Sequence, residues 1–436
     1  GDLQATGALI AGDSVSLDFS GKLTNGGTIA GRGAVSLSAE NADNLGGRIT
    51  GNNVAVAARA DLNNLGGQIE AANSLAASAG RDLNVVSTIR TQTNAQGSRT
   101  NIDRIAGLSV TGGGGTLVAV AGRDLNLDAA QIANSGQGGT TLAAGNNLNL
   151  GTVAESASNR IAWDSNNTRS DSSRTDIGTR IQTQGDLRLS AGNDLNAKAA
   201  NVTSDQGALL ATAGGNLNLT AGEANRSLDE AHQYKGRSGL FSSKTTTTRD
   251  TLNETTAIGT TLSGNTATVL ANRDINLKGS NLVSTQGTTL AAGNNLNLEA
   301  ATGTTTESHL KDEKKSGLFS SGGIGFTLGS QQQSVDARNA GMTAAASTVG
   351  STQGSIDIQA GKTHLQAGSN VLAPQGNIDI AAQRIDILEA QNTRQSSTET
   401  RFKQSGLTVA LTSPVISAIQ TSSQMNEAAG QTRDGR

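Results

Sequence analysis

The eleven residues TTLAAGNNLNL fill positions 140–150 and return unchanged at positions 288–298. Neither copy holds a side chain suited to nucleophilic, acid–base or metal chemistry, so the repetition answers to a repeated environment. Aligned on this core, the chain yields AGRDLNV (79–85), AGRDLNL (121–127), AGNNLNL (144–150), AGNDLNA (191–197), AGGNLNL (213–219), ANRDINL (271–277) and AGNNLNL (292–298). Where two copies are consecutive, equivalent Asn residues lie 23 apart (Asn126, Asn149), 22 apart (Asn196, Asn218) and 21 apart (Asn276, Asn297), and the IDI triplets at 356–358 and 378–380 are again 22 apart. Nearer the start, Ile10, Ile29, Ile49, Ile69 and Ile89 step by 19 or 20, three of them directly after Gly-Gly-x.

A period near 20 residues, with Leu-x-Leu alternation and Gly punctuation, suits one turn of a coil of short strands and tight bends. The expected fold class is all-β: a right-handed parallel β-helix, a solenoid whose coils pair through backbone hydrogen bonds about 4.8 Å apart. Alternation sets Leu148 and Leu150 on the face that fills the bore, with Asn147 and Asn149 facing out. Asn beside Gly suits left-handed bends, and its amide can stack on the Asn of the next coil. About 13 to 18 coils would make a rod of roughly 60 to 90 Å.

Composition agrees. The chain has 55 Gly, 2 Pro, no Cys and only one Trp, one Tyr and five Phe in 436 residues. A narrow bore takes Leu, Ile, Val and Ala more readily than rings at every level. Basic and acidic residues, 33 and 36, nearly cancel and form no basic block, so no nucleic-acid partner is expected. The lack of Cys excludes disulfides, zinc thiolate sites and thiol catalysis. No apolar run is long enough for a membrane-crossing helix.

Spacing breaks at about 151–182, 220–262, 299–350 and 389–414. These insertions carry every aromatic residue except Phe19, together with His232 and His309. Three share a phrase: RSGLFSS (237–243), KSGLFSSGGIGFTLGS (315–330) and QSGLTVALTSP (404–414). Their Ser/Thr-rich charged arms predict long β-hairpins projecting from the rod or lying on its flank. The expected divisions are regular coils over 1–90, coils of 21–23 residues interrupted by hairpins over 91–414, and a tail, cap or linker over 415–436.

AGNNLNL coils joined to SGLFSSGGIGFTLGS hairpins resemble the second type of haemagglutinin repeat of the filamentous haemagglutinin family, particularly contact-dependent growth-inhibition toxins of the CdiA type. The GGTI, GGRI and GGQI coils are similar to that family's first repeat type. The resemblance implies a non-catalytic stalk and interaction segment of a secreted bacterial cell-surface filament. It implies export by an outer-membrane two-partner-secretion transporter, through a domain outside this sequence, which lacks the family's Asn-Pro-Asn motifs, VENN junction and toxin. It also implies delivery of a C-terminal toxin across a target cell's outer membrane, or contact with a receptor there, after a period held in the periplasm. The alternatives are an adhesion filament without a toxin and a carbohydrate-active β-helix.

The candidate membrane or partner contacts are Phe241, Phe319, Ile324, Phe326, Leu328, Leu407, Val409 and Leu411, the apolar members of the shared phrases. Leu318 to Leu328 has the 9 to 11 residues of a bilayer-spanning strand. Asp357 and Asp379 would stack on adjacent coils at a glycosidase-like carboxylate spacing, but they also read as substitutions in the outward Asn ladder. His364 has no partner at metal-ligand spacing and reads as a surface residue. GGGG (112–115) lacks the Lys-Ser/Thr of a phosphate loop and reads as a turn, and Lys311 to Lys315 as a solvated arm, with contact to anionic lipid as the alternative. No cofactor or metal site is expected. Severed coil edges at the two ends predict end-to-end self-association.

Overall fold

The computed structural model describes residues 7–239, 241–320 and 325–410. All of its regular structure is β. Each full coil makes three short strands, as in Gln131–Asn134, Thr140–Ala144 and the start of Leu148–Ala162, and each strand pairs in parallel with its equivalents above and below. This is the expected parallel β-helix. Twelve coils stack among the described residues, fewer than the 13 to 18 expected, because the insertions take more of the chain out of the rod. Eleven steps of about 4.8 Å give a rod of ~53 Å.

The register explains the repeated sequence. Leu83, Leu125, Leu148, Leu195, Leu217, Ile275 and Leu296 follow one another in the bore, all fully buried. On the outer face an unbroken amide ladder runs from Asn63 through Asn84, Asn126, Asn149, Asn196, Asn218 and Asn276 to Asn297, each side chain donating to the one before at 2.8–3.0 Å. Glycine precedes this strand because the chain turns there in tight stacking. A Cβ on Gly145 would lie 2.1 Å from the carbonyl oxygen of Gly122, and one on Gly192 would lie 2.0 Å from that of Gly145.

Two expectations for the rod are corrected. His364 is a core residue, fully buried between Leu296 and Ile385 in the bore stack. The alternation that hides its neighbours' side chains hides its ring as well. Asp357 and Asp379 do stack on adjacent coils, but they follow Thr289 in the second strand of the coil, and Leu365 follows Asn297 at the ladder position. GGGG (112–115) forms a turn, as expected.

Every insertion leaves the rod at one corner, between the third strand of a coil and the first strand of the next. Hairpins occupy 88–104, 148–178, 222–258 and 301–345, and a further strand, Thr393–Ala410, leaves after Arg384–Leu388. The first hairpin was not expected. Ile89 keeps the 20-residue step but lies exposed in that hairpin, and Leu108 takes the place above Ile69. From the fourth coil onward, departures alternate with corners closed by one residue in left-handed backbone: Ala129 (φ 47°), Ala199 (φ 49°), Gly279 (φ 58°) and Gly368 (φ 57°). A hairpin therefore departs every second coil. Two coils rise about 9.6 Å and a hairpin's two strands are about 9.6 Å wide, so successive hairpins meet edge to edge.

They pair with one another rather than resting on the rod. Nine strands form one antiparallel sheet, in chain order from Thr88–Asn94 to Thr393–Ala410. Its strands lengthen from 7 residues at Thr88–Asn94 to 21 at Gly325–Ala345, so this fin widens along the rod. Outside its base the side chains on both faces are almost all half-buried or exposed.

Candidate contact surface

The fin is anchored by buried hydroxyls at its base. Thr179, Thr260 and Ser347, each where the chain re-enters the rod, are fully buried. Thr260 Oγ1 donates to the Thr220 carbonyl at 2.7 Å and accepts the Ala200 N–H at 3.1 Å. Ser347 Oγ donates to the Glu299 carbonyl at 2.7 Å and accepts the Ser280 N–H at 3.0 Å. Thr179 Oγ1 does the same with the Leu127 carbonyl and the Ala130 N–H. Each hydroxyl thus ties a departing corner to the closed corner of a neighbouring coil. These residues were not legible as a set, since Ser and Thr are abundant throughout the chain.

Above the base, polar side chains staple the strands. Arg249 donates to Asp229 at 2.8 and 3.0 Å, Lys244 lies 2.8 Å from Glu313, and the pairs Ser243–Ser316 and Ser330–Ser405 are 2.7 and 2.9 Å apart. The hydrogen bond from Lys244, with Lys311 and Lys315 nearby, holds the Glu313 carboxyl below its ordinary range.

At the outer end glycine crosses the sheet. Gly317, Gly329 and Gly406 lie opposite one another, and φ of +113° at Gly317 and +146° at Gly406 are values that a side chain disfavours. The next row is Leu318, Leu328 and Leu407, in direct register. Leu328 is 60% exposed, Leu407 70% and Phe241, beside this row, 75%. The structure therefore gathers the shared phrases into one apolar edge. By backbone register Phe319 faces Thr327, and Phe326 lies between Ser320 and Val409; Ile324 and Leu411 lie outside the described residues. Leu318, absent from the sequence-based set, belongs to this edge.

Leu318 to Leu328 is not a single spanning strand. The two residues sit opposite each other on the two arms of one hairpin. The apolar stretch folds back on itself, and only three residues follow Gly317 before its strand ends at Ser320. Among the described residues no cluster of His, Asp and Glu could hold a metal ion, and no helix is long and apolar enough to cross a membrane.

Comparison with known proteins agrees with this architecture. A family model described as a hemagglutinin repeat matches residues 162–249 and 239–406. A tRNA nuclease CdiA of Escherichia coli is 33% identical over 364 residues, 83% of this chain and 11% of that relative. A 16S rRNA endonuclease CdiA of Enterobacter cloacae is 36% identical over 262 residues, 59% of this chain and 8% of the relative. A deoxyribonuclease CdiA of Dickeya dadantii is 32% identical over 358 residues, 81% and 11% of the two chains. The chain thus spans about a tenth of the length of these curated relatives. No solved structure matches. With its repeat matched over more than half its length and the coils and hairpins in register, the chain belongs to the hemagglutinin-repeat family, in a region similar to part of CdiA proteins.

Proposed function

We propose that this region is a non-catalytic stalk and contact segment of a secreted filament, and that it helps carry a toxin of the same polypeptide across a target cell's outer membrane. One observation carries the reading. Relatives named for cleaving tRNA, 16S rRNA and DNA share this region, so the shared part serves what differing toxins have in common, which is delivery. Export by a two-partner-secretion transporter, display on the bacterial surface and periplasmic retention before use belong to the same reading. The apolar edge that holds Phe241, Leu328 and Leu407, with the candidate contacts Phe319, Ile324, Phe326, Val409 and Leu411 of the same phrases, is the part that meets the target membrane or a receptor in it, while the rod holds it at a distance.

The test uses the full-length polypeptide on living cells. Replacing Phe319, Ile324, Phe326 and Leu328 with Ser leaves surface display unchanged and abolishes toxin activity inside target cells. Undiminished delivery by a displayed variant overturns the proposal. Loss of cell–cell attachment together with delivery favours the adhesion reading.

A further inference from the structure

Beneath the glycine row the fin sets out three lysines in line. Lys235, Lys314 and Lys403 lie on one cross-strand row, through Thr245 and Gln332. They share a face at alternate strands, about 9.6 Å apart. All three are exposed, and none makes a salt bridge with a described residue. The next row outward holds Lys315 and Lys244, the latter paired to Glu313, and the one after it Arg237. Toward the rod carboxylates follow: Glu313 and Asp312 lie on the next two rows, Asp312 accepting from Gln332 of the lysine row, and Asp229, Glu230, Asp250, Asp336 and Glu399 lie beyond, with Arg249, Arg338 and Arg401 each paired to one of them.

Three of the fin's exposed rings lie one to three rows from these lysines on the rod side. Tyr234 and Phe402 share the row directly beneath the three lysines. Trp163, at the tip of the shorter second hairpin, reaches the third hairpin two rows nearer the rod, its ring centroid 5.4 Å from that of His232. Rings and long cationic side chains within a few rows of one another, below an apolar edge, match the chemistry of a bilayer interface, where the ring takes the boundary and the ammonium the phosphate.

We propose that this band is a headgroup girdle: Lys235, Lys314 and Lys403 bind the phosphates of an anionic lipid surface, Trp163, Tyr234 and Phe402 lie at the boundary, and the apolar edge enters one leaflet. This rests on the membrane-contact reading above and gives it a depth and a lipid class. The depth follows from the hairpin. Three residues from Gly317 to Ser320 extend ~10 Å, against a hydrocarbon core of about 30 Å. The described part of that strand therefore reaches into one leaflet and does not cross the bilayer. Charge selects the surface, since a juxtamembrane lysine gains only from an anionic leaflet and only within a Debye length of it.

The only tryptophan in the chain reports the outcome. The 436-residue protein is mixed with vesicles of phosphatidylglycerol and phosphatidylcholine, or of phosphatidylcholine alone, and read by Trp emission and vesicle flotation. Emission shifts to the blue with the anionic vesicles, and their binding weakens steeply as salt is raised. Changing Lys235, Lys314 and Lys403 together to Gln lowers affinity for anionic vesicles on the order of a hundredfold, with the far-ultraviolet spectrum unchanged. Inorganic phosphate alone leaves the emission where it was. Wild-type affinity in the triple variant, salt-insensitive binding, or a shift reproduced by inorganic phosphate each overturns the girdle. The salt titration of the unaltered protein decides if the triple variant misfolds. Equal, salt-insensitive binding to both vesicle types removes the girdle but leaves the apolar edge standing, whereas no binding to either removes both.

Discussion

Rod and fin are built from one chain by opposite rules. In the rod every coil hides Leu, Ile, Val and Ala in a shared bore, and a position's neighbours are its own equivalents about 20 residues away. In the fin there is no bore and no second layer, and a strand's neighbours are its own hairpin partner on one side and a strand of another insertion on the other, as with Ser330 and Ser405, 75 positions apart. Cores are normally made by packing one layer on another. A lone sheet depends on strand pairing and cross-strand polar contacts, each of about 0.2–1 kcal/mol. The difference shows where each part can change. The rod tolerates little at any level, while the fin accepts almost any strand-compatible side chain except along its glycine row.

One substitution made in both regions breaks or sharpens that contrast most strongly. Leu148→Ala, in the bore, should cost about 2–5 kcal/mol in denaturant unfolding, and Leu252→Ala, half-buried in the fin opposite Leu228, well under ~1 kcal/mol. Equal costs would mean that the fin has a core of its own. The junction comes next. Thr260→Val keeps the shape but strands the Ala200 N–H, at a cost of about 1–3 kcal/mol, and hydrogen exchange at the base of the 222–258 hairpin should accelerate. Smaller still is the pH response of the bore. Burial holds the His364 imidazole below its ordinary value of 6.5; neither ring nitrogen makes a hydrogen bond of good geometry, although the Gln366 side chain and the Leu296 backbone are near. Between the folded and unfolded values the unfolded chain binds more protons. Stability is therefore present above pH 6.5 and is lost as pH falls below it. His364→Leu should abolish that dependence in thermal melts, and an unchanged pH profile would show that the ring stays solvated. The smallest effect concerns the outer face. Asp124, Asn147, Asp194, Asn216 and Asp274 alternate up successive coils, each linked to the next through backbone N–H bonds to side-chain oxygens. Asn147→Asp would join the existing run of Asp61, Asp82 and Asp124 to Asp194, five carboxylates in a row, costing ~1 kcal/mol at low salt and less at high salt.

The rod was legible because a coil meets the same surroundings at every level, so Leu148 and Leu296 announce each other across the sequence. The fin was legible only in part. Its four longer insertions stood out through aromatic residues and the SGLF phrase, but the hairpin at 88–104 has neither, and Ile89 concealed it by keeping step with Ile69. That Leu318, Leu328 and Leu407 share a row depends on the lengths of the intervening segments, and no local pattern encodes them. His364 misled for a related reason: its polarity suggested the surface, but its place after Thr363 in a period-two strand decides its orientation. The tail at 415–436 lies outside the described residues.

The two ends of the described stack carry a consequence in solution. Ile10 at one end, and Ile378, Ile385 and Ile387 at the other, are exposed where a further coil would cover them. Light scattering should show association that grows with concentration, and a monomer at every concentration would mean that the ends are already capped.

The two-coil interval between hairpins also bears on how such a gene can change length. The identical stretches at 140–150 and 288–298 both lead into a departing hairpin, and four coils separate them. Unequal crossing-over between their coding sequences would excise 148 codons, together with two complete hairpin intervals. Leu150 would then run directly into Glu299, the 301–345 hairpin would take the slot of the 148–178 hairpin, and its first strand would meet Gly97–Arg104 edge to edge. Exchange at an odd number of coils would leave two hairpins competing for one gap, or a gap with none. The geometry of strand spacing thus acts as a reading frame above the codon, admitting gains and losses of even numbers of coils and rejecting the others.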